Sequence, residues 1–540
     1  LSATRSPVAA RCVFALAAAS ACATESGLDD LSGGAAASID ALAVAPPEHL
    51  VSPPRAQTDT SVLLLWDKPS SFDPTTFSAY VVFRDGKQIG QTTKLGFTAT
   101  GLAPATSHVF TVRIEQTDGT RSASSNAVTV TTQPTGTVLD VRDFGAVGDG
   151  KQLNTMAIQK AIDVCPAGGT VLIPSGTFVS GALFLKSDMT FRVAAGGTLR
   201  GSTSIKDYPM IPSRFEGFEL PGYASLLTLG HRDRSGPANI SNVTIAGEGV
   251  IDGSGLELGN AQKAASGNRA RGRAILMFNA QNVYVQGLTV SYGPAWTVHA
   301  VYSTKLTFSG LKLVSKNAEF RIANGDGIDA DSSTHVNIFD CNFHTGDDSI
   351  AIKSGKNLEG FTIARPAEDI RITDVVVDGS NGGIVIGSEM SGSVRRVLVQ
   401  NCSLRNLNWE SMDIKSNVVR GGTVEDIVFE DITASRTRQA IRVTMNYSVN
   451  NDGAPAPVPP TFRNLRFENI TVPSGGGAGI SVTGLPDSIA RDVMFKNIDL
   501  TSTTGVVVDH ADTVTFDRVD LHISQGEPFT ITSSSNVVIR

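Results

Sequence analysis

At 540 residues the chain is long enough for two or three average domains, or for one long solenoid with a smaller neighbour. Charged residues make up 18% and glycine occurs 53 times, which favours short strands and tight turns over salt-bridged helices. The formal charge of −7 excludes a broadly basic surface, so nucleic acid is not expected as a partner.

Arg5 and Arg11 precede an apolar run from Cys12 to Ala21 that is too short to cross a bilayer and has the layout of an export signal. Residues 1–22 are therefore expected to be a signal peptide or a lipoprotein signal, in which Cys22, after Ala19-Ser20-Ala21, becomes the lipidated residue. Either form places the protein outside the cell, secreted or lipid-anchored at the bacterial cell envelope. Residues 23–45 are small and polar with no apolar period and read as a flexible linker. Cys165, Cys341 and Cys402 include no Cys-x-x-Cys pair and read as buried free thiols, with a Cys341–Cys402 bridge as the alternative.

From 46 to 133 the chain changes to short alternating strands, at 61–66, 79–84, 108–115 and 127–131, whose spacing suits a small sandwich. Trp66, Tyr80 and the segment from Leu102 to Phe110 resemble a fibronectin type III domain, with His108 where that family has its corner tyrosine. The segment has no paired acids or metal-ligand cluster, so a spacer or presentation role is expected of it rather than carbohydrate binding.

The rest of the chain, 137–540, opens with a helix at 155–164, where Ile158, Ala161 and Ile162 recur at helical spacing before Pro166. That helix is expected to cap a solenoid core. One pattern then repeats every 20 to 40 residues: a polar residue, often Asn or Asp, followed by alternating aliphatics, as at Asn242-Val243-Thr244-Ile245, Asn282-Val283-Tyr284-Val285 and Asp426-Ile427-Val428-Phe429. Inward aliphatics on every coil build one continuous core, which predicts an all-β parallel β-helix; a propeller needs longer, more regular repeats.

Within this array Asn324-Gly325-Asp326 is followed one coil later by Gly346-Asp347-Asp348. Coils are stacked ~4.8 Å apart, so Asp326, Asp347 and Asp348 crowd into one patch. There like-charge repulsion leaves one acid protonated beside ionised bases, the pairing that glycoside hydrolysis requires. An inverting mechanism asks for acid and base roughly 6.5 to 9.5 Å apart, a distance that adjacent coils can meet. No Ser or Cys nucleophile with a partner His is evident, no cofactor is implied, and no His cluster or oxygen-rich loop predicts a metal site.

Together with Phe144-Gly145-Ala146-Val147-Gly148-Asp149-Gly150 and Ile386-Gly387-Ser388-Glu389-Met390-Ser391-Gly392, these motifs make the segment from about Val138 onward similar to the polygalacturonases, glycoside hydrolase family 28. The resemblance implies a right-handed β-helix that cleaves galacturonosyl linkages of pectin with inversion, acting as a monomer on a pectic polysaccharide. It implies Asp347 as proton donor and Asp326 and Asp348 as the pair activating water. Asn324, Asn381, Asp413, Lys415, Arg442 and Tyr447 are the implied substrate contacts. Exo action follows if loops close one end of the cleft.

Two positions depart from the family. Asn381, in Ser380-Asn381-Gly382-Gly383, stands for a histidine, and Asp413, in Asp413-Ile414-Lys415, stands for an arginine that binds the substrate carboxylate. Either another base such as Arg420 or Arg442 takes over, or the sugar is not a galacturonate, which leaves a rhamnogalacturonan-type hydrolase or an inactive carbohydrate-binding β-helix as alternatives. Alternation places Asp413 on the same face as Lys415 and so in the cleft. Lys353 and Lys356 read equally as cleft-facing or solvated turn lysines. Arg269, Arg271 and Arg273 are expected to be exposed, Trp296 and Tyr447 to pack rather than to stack on sugar, and His299 to be structural.

Overall fold

A kinked polar residue followed by inward aliphatics builds each coil. In the computed structural model, which describes residues 44–236, 238–448 and 452–540, Asn242, Asn282, Asp369, Asp426, Asn464 and Asp492 all have φ of 51–57°. Asn and Asp tolerate this left-handed region better than other side chains that carry a Cβ. They also bond from coil to coil: Asn282 Nδ2 donates to Asn242 at 3.0 Å and Asn464 Nδ2 to Asp426 at 2.6 Å. After the kink, Val243, Val283, Leu306, Val336 and Ile370 stand in register on consecutive parallel strands, all buried. Further along, Phe429, Phe467, Phe495 and Phe516 stack with ring centres 4.9 to 5.3 Å apart.

The result is a right-handed parallel β-helix. One face is a twelve-stranded sheet from Leu183–Leu185 to Phe529–Thr532. The other two arise from paired strands such as Ile240–Gly247 and Val250–Asp252. Helix Thr155–Val164 buries Ile158, Ala161 and Ile162 against the first coils of this core, as expected of a cap. Cys165, Cys341 and Cys402 are free and buried.

Ahead of the β-helix, strands Glu48–Val51, Val62–Asp67 and Gly96–Ala99 form one antiparallel sheet, and Phe77–Arg84, Lys87–Thr92, Ser107–Gln116 and Val128–Thr131 form another. They enclose Trp66, Tyr80, Phe110 and Val112. This sandwich is docked directly on the β-helix. Leu63 and Leu65 pack against Tyr284 and Phe339 of the β-helix. Lys68 pairs with Glu430 at 2.6 Å, Lys94 with Asp340 at 2.6 Å and Arg371 with Asp67 at 2.9 Å, while the Leu95 N–H donates to Asp374 at 2.9 Å. The sandwich thus braces the strands that begin each coil, a different face from the twelve-stranded sheet. The export signal, Cys22 and nearly all of the linker read from the sequence lie outside the described residues.

Candidate active site

The twelve-stranded face carries the acids at the entry of two neighbouring strands, Ile328–Asp331 and Asp348–Lys353. Ile328 is in register with Ile350, which sets Asp326 beside Asp348, with Asp347 next to it. Close passage of the chains demands glycine at 327, where a Cβ would lie 2.4 Å from the Ser349 carbonyl oxygen. The nearest oxygens of Asp326, Asp347 and Asp348 all lie within 4.8 Å of one another. That closest approach is tighter than the separation expected from the sequence, because the acids share one strand end rather than facing each other across a cleft. A water hydrogen-bonded to two oxygens spans up to ~5.5 Å, so the gap suits a water held jointly by two carboxylates.

The environments of these acids differ. Burial, then the charges of Asp326 and Asp348, push the Asp347 carboxyl well above the usual carboxylate range. Burial also raises Asp326, to about 6, although the Lys353 ammonium opposes the rise. Lys353 Nζ lies 3.1 Å from Asp326 Oδ2, and Lys415 Nζ lies 3.2 Å from Asp348 Oδ2. Two of the three acids therefore have a cation within 3.2 Å, and Asp347, which among the described residues has none so near, is raised toward its protonated form. Such a set can donate a proton from one side and accept one on the other without a metal ion.

The acids open into a cavity of about 400 Å³, whose walls include Asn324, Trp296, Glu389, Glu410, Arg442 and Tyr447. Arg271 Nη2 donates to Asn324 Oδ1 at 2.6 Å, fixing that loop. Lys415 and Arg442 lie 5.3 and 5.6 Å from the centre of the Tyr447 ring, which lines the cavity between them. The structure thus brings Asn324, Lys415, Arg442 and Tyr447 together with the three acids.

Asn381 and Asp413 lie beneath this surface, which corrects their placing as substrate contacts. Asp413 is 1% exposed, and Arg442 from the next coil grips both its oxygens, with Nε at 2.8 Å and Nη2 at 2.7 Å. A short acid under a long arginine cannot reach the cavity even on the correct face. Asn381 donates to the Gly346 carbonyl and accepts from Asn408 at 2.7 Å, bracing the turn that carries Asp347. Arg420 is buried and bonds the Ser388 carbonyl at 3.0 Å.

Several basic residues expected at the surface are internal. Arg271 and Arg273 are buried, and the Arg273 guanidinium lies 4.7 Å from the ring centres of both Phe215 and Trp296. Trp296 stacks on Phe215 at 4.8 Å and packs edge-on to His299. His299 is structural, as expected, with Nε2 at 3.4 Å from Asp331. Lys356 pairs with Asp452 at 2.5 Å, and Arg269 pairs with Asp452 and Glu216, each at 2.7 Å.

These contacts belong to a wall at one side of the cavity. The hairpin Met210–Phe215 and Phe218–Tyr223 turns at Glu216 and Gly217, so close to helix Asn357–Ile363 that a Cβ on Gly217 would lie 2.6 Å from the Lys356 backbone nitrogen. Asp452 locks a third segment onto both. Glu216 of the wall, and Trp409, Glu410 and Arg438 elsewhere in the cavity lining, escaped the sequence reading, since no short motif marks them; Glu389 sat within a quoted motif without a role.

A profile described as "Glycosyl hydrolases family 28" matches residues 167–520. The exo-poly-alpha-D-galacturonosidase of Dickeya chrysanthemi is 29% identical over 533 residues, covering 84% of this chain and 87% of that one. Among solved structures, the family 28 exopolygalacturonase of Yersinia enterocolitica superposes with a TM-score of 0.83 at 27% identity, covering 91% of this chain and 99% of that chain. A hyperthermoactive exopolygalacturonase from Thermotoga maritima gives a TM-score of 0.58 at 26% identity, over 75% and 91%.

Proposed function

The chain belongs to glycosyl hydrolase family 28, and on that premise we propose that it is an exo-acting polygalacturonase that removes short products from one end of homogalacturonan. The observation that carries this reading is the cavity over three clustered carboxylates with Glu216 of the 210–223 hairpin standing in its lining; in an exo mode that hairpin is the stop against which the chain end rests. The exo-acting activities for which the relatives from Dickeya chrysanthemi and Yersinia enterocolitica are named agree with it.

In this reading Asp347 donates its proton to the glycosidic oxygen, and Asp326 and Asp348 together deprotonate a water that attacks the anomeric carbon from the opposite side, inverting its configuration. Lys415, Arg442 and Tyr447 receive the galacturonate; Asp413 holds the Nε and Nη2 edge of Arg442 and Glu410 lies 3.2 Å from its Nη1, so Arg442 acts here as a nearby positive charge. Because Arg442 covers Asp413, the cleft keeps a cation where the sequence alone showed an acid. The rhamnogalacturonan and inactive readings thereby lose their main motive.

The sandwich is of the fibronectin type III kind, supported by its three- and four-stranded antiparallel sheets and the Trp66–Tyr80 contact at 5.4 Å. The enzyme acts as a monomer outside the cell, secreted or attached through lipidated Cys22. Fatty-acid labelling of the wild type but not Cys22→Ala tests the anchor. Product release from homogalacturonan and rhamnogalacturonan tests the activity: short galacturonides from the first, with little from the second, is the expected result, and the reverse preference overturns the reading.

A further inference from the structure

We infer that Lys353 and Asp329 form a buried positioning pair that aims Asp326 and sets the lower pH limit of hydrolysis. The inference rests on the reading of Asp326 as a base. Lys353 Nζ lies 3.1 Å from Asp326 Oδ2 and 2.6 Å from Asp329 Oδ1, and none of the three side chains is more than 5% exposed. The Trp296 ring centre sits 3.8 Å from the same ammonium and keeps water from it. With Oδ2 committed, Asp326 Oδ1 is buried and has no hydrogen-bond partner among the described residues, although Asp326 lines the cavity. The lysine thus holds one oxygen and leaves the other for the attacking water.

Asp329 is fully buried, three residues along the chain and beneath the cavity surface. Burial alone would lower the Lys353 ammonium, but Asp326 and Asp329 more than offset it and hold it well above its ordinary value. One cation is therefore shared in direct contact by two carboxylates, of which only Asp326 meets the cavity; the buried Glu389 at the cavity wall adds a third negative charge facing the ammonium, and it remains in every variant below. A buried ion cluster of this kind is often no more stable than packed apolar side chains, so stability alone gives little reason for it. A role in tuning the base does.

Removing either partner changes the charge at Asp326 with opposite sign. Without Lys353 the carboxylate loses its cation and takes a proton more readily. Burial also raises the Asp329 carboxyl well above its usual range, against the Lys353 ammonium 2.6 Å away; where that carboxyl is ionised, its removal leaves the cation to Asp326 alone, and Asp326 stays ionised to lower pH. The other charges facing Asp326 are Asp347, Asp348 and Lys415 at the cavity, with Arg271 and Arg273 behind it. The neighbouring Asp331 is matched by Arg214 at 3.0 Å, and burial holds His299 neutral, its pKa lowered to about 3. All of these remain in both variants.

The test is the pH dependence of kcat/KM on galacturonate oligomers for the wild type, Lys353→Met and Asp329→Asn, with Asp326→Asn as reference. The acidic limb is expected to move up by about one pH unit or more in Lys353→Met and down in Asp329→Asn. If Lys353→Met does not fold, the near-isosteric Asp329→Asn decides alone: a downward shift supports the pair, and an unmoved or raised limb overturns it. Limbs that stay in place while Asp326→Asn abolishes turnover refute the pair and spare the base. Full activity in Asp326→Asn removes the base and the pair together.

Discussion

Replacing Asp413 by arginine separates two accounts of this cleft. If Asp413 faced the substrate, Asp413→Arg would restore a carboxylate-binding pattern and raise activity on homogalacturonan. In the structure Asp413 is 1% exposed, both its oxygens are held by Arg442 at 2.8 and 2.7 Å, and Lys415 Nζ stands 3.5 Å away. Arginine there would put a third cation among two others. Breaking a buried pair by losing one partner costs about 3–5 kcal/mol. Each like-charge contact at such distances adds on the order of 4 kcal/mol at an effective dielectric near 20. Because the Arg442 side chain is 18% exposed, it can swing toward solvent and relieve part of this, so the lower end, ~3 kcal/mol, is the expected destabilisation. Asp413→Asn keeps one acceptor and loses the charge, and should fall between. Chemical denaturation and kcat/KM on galacturonate oligomers are both expected to rank wild type above Asn above Arg. A folded Asp413→Arg with increased kcat/KM would refute this reasoning.

Asp347→Asn keeps the shape of the acid but not its proton, so kcat should fall by roughly two orders of magnitude or more in a folded protein; near-normal turnover would remove Asp347 from the mechanism. Asp326 must be ionised to take a proton from water and its pKa lies at about 6, so kcat/KM should drop as pH falls through that value. A flat profile down to pH 4 would contradict it. Since Lys353 and Lys415 already balance Asp326 and Asp348, chelator treatment should leave turnover intact, and loss with recovery on added calcium would reveal an ion at the three acids.

What the sequence made legible was local or periodic. The Asn and Asp residues that open each repeat, the capping helix and the one-coil spacing between Asp326 and the Asp347-Asp348 pair follow from repeat length and pattern, and the structure has them, with Asp348 rather than Asp347 directly beside Asp326. What it hid depends on partners far along the chain. Alternation put Asp413 and Lys415 on one face of strand Glu410–Lys415, but a face does not fix reach: the long lysine meets the cavity while the short acid is covered by Arg442 from the next coil. Arg271 and Arg273 read as exposed because a basic cluster in a Gly- and Ala-rich stretch usually is, and Lys353 reads equally as cleft-facing or solvated; the rings and carboxylates that bury them come from other coils and from the hairpin at 210–223. The wall at one side of the cavity joins that hairpin to Lys356 and Asp452, and no window of sequence contains all three.

The most direct test of the central claim is the early product distribution from a galacturonate oligomer of defined length. An exo-acting enzyme is expected to release one short product while the remainder shortens stepwise, with no intermediate lengths at first turnover. Fragments of random intermediate length at the earliest times would contradict exo action.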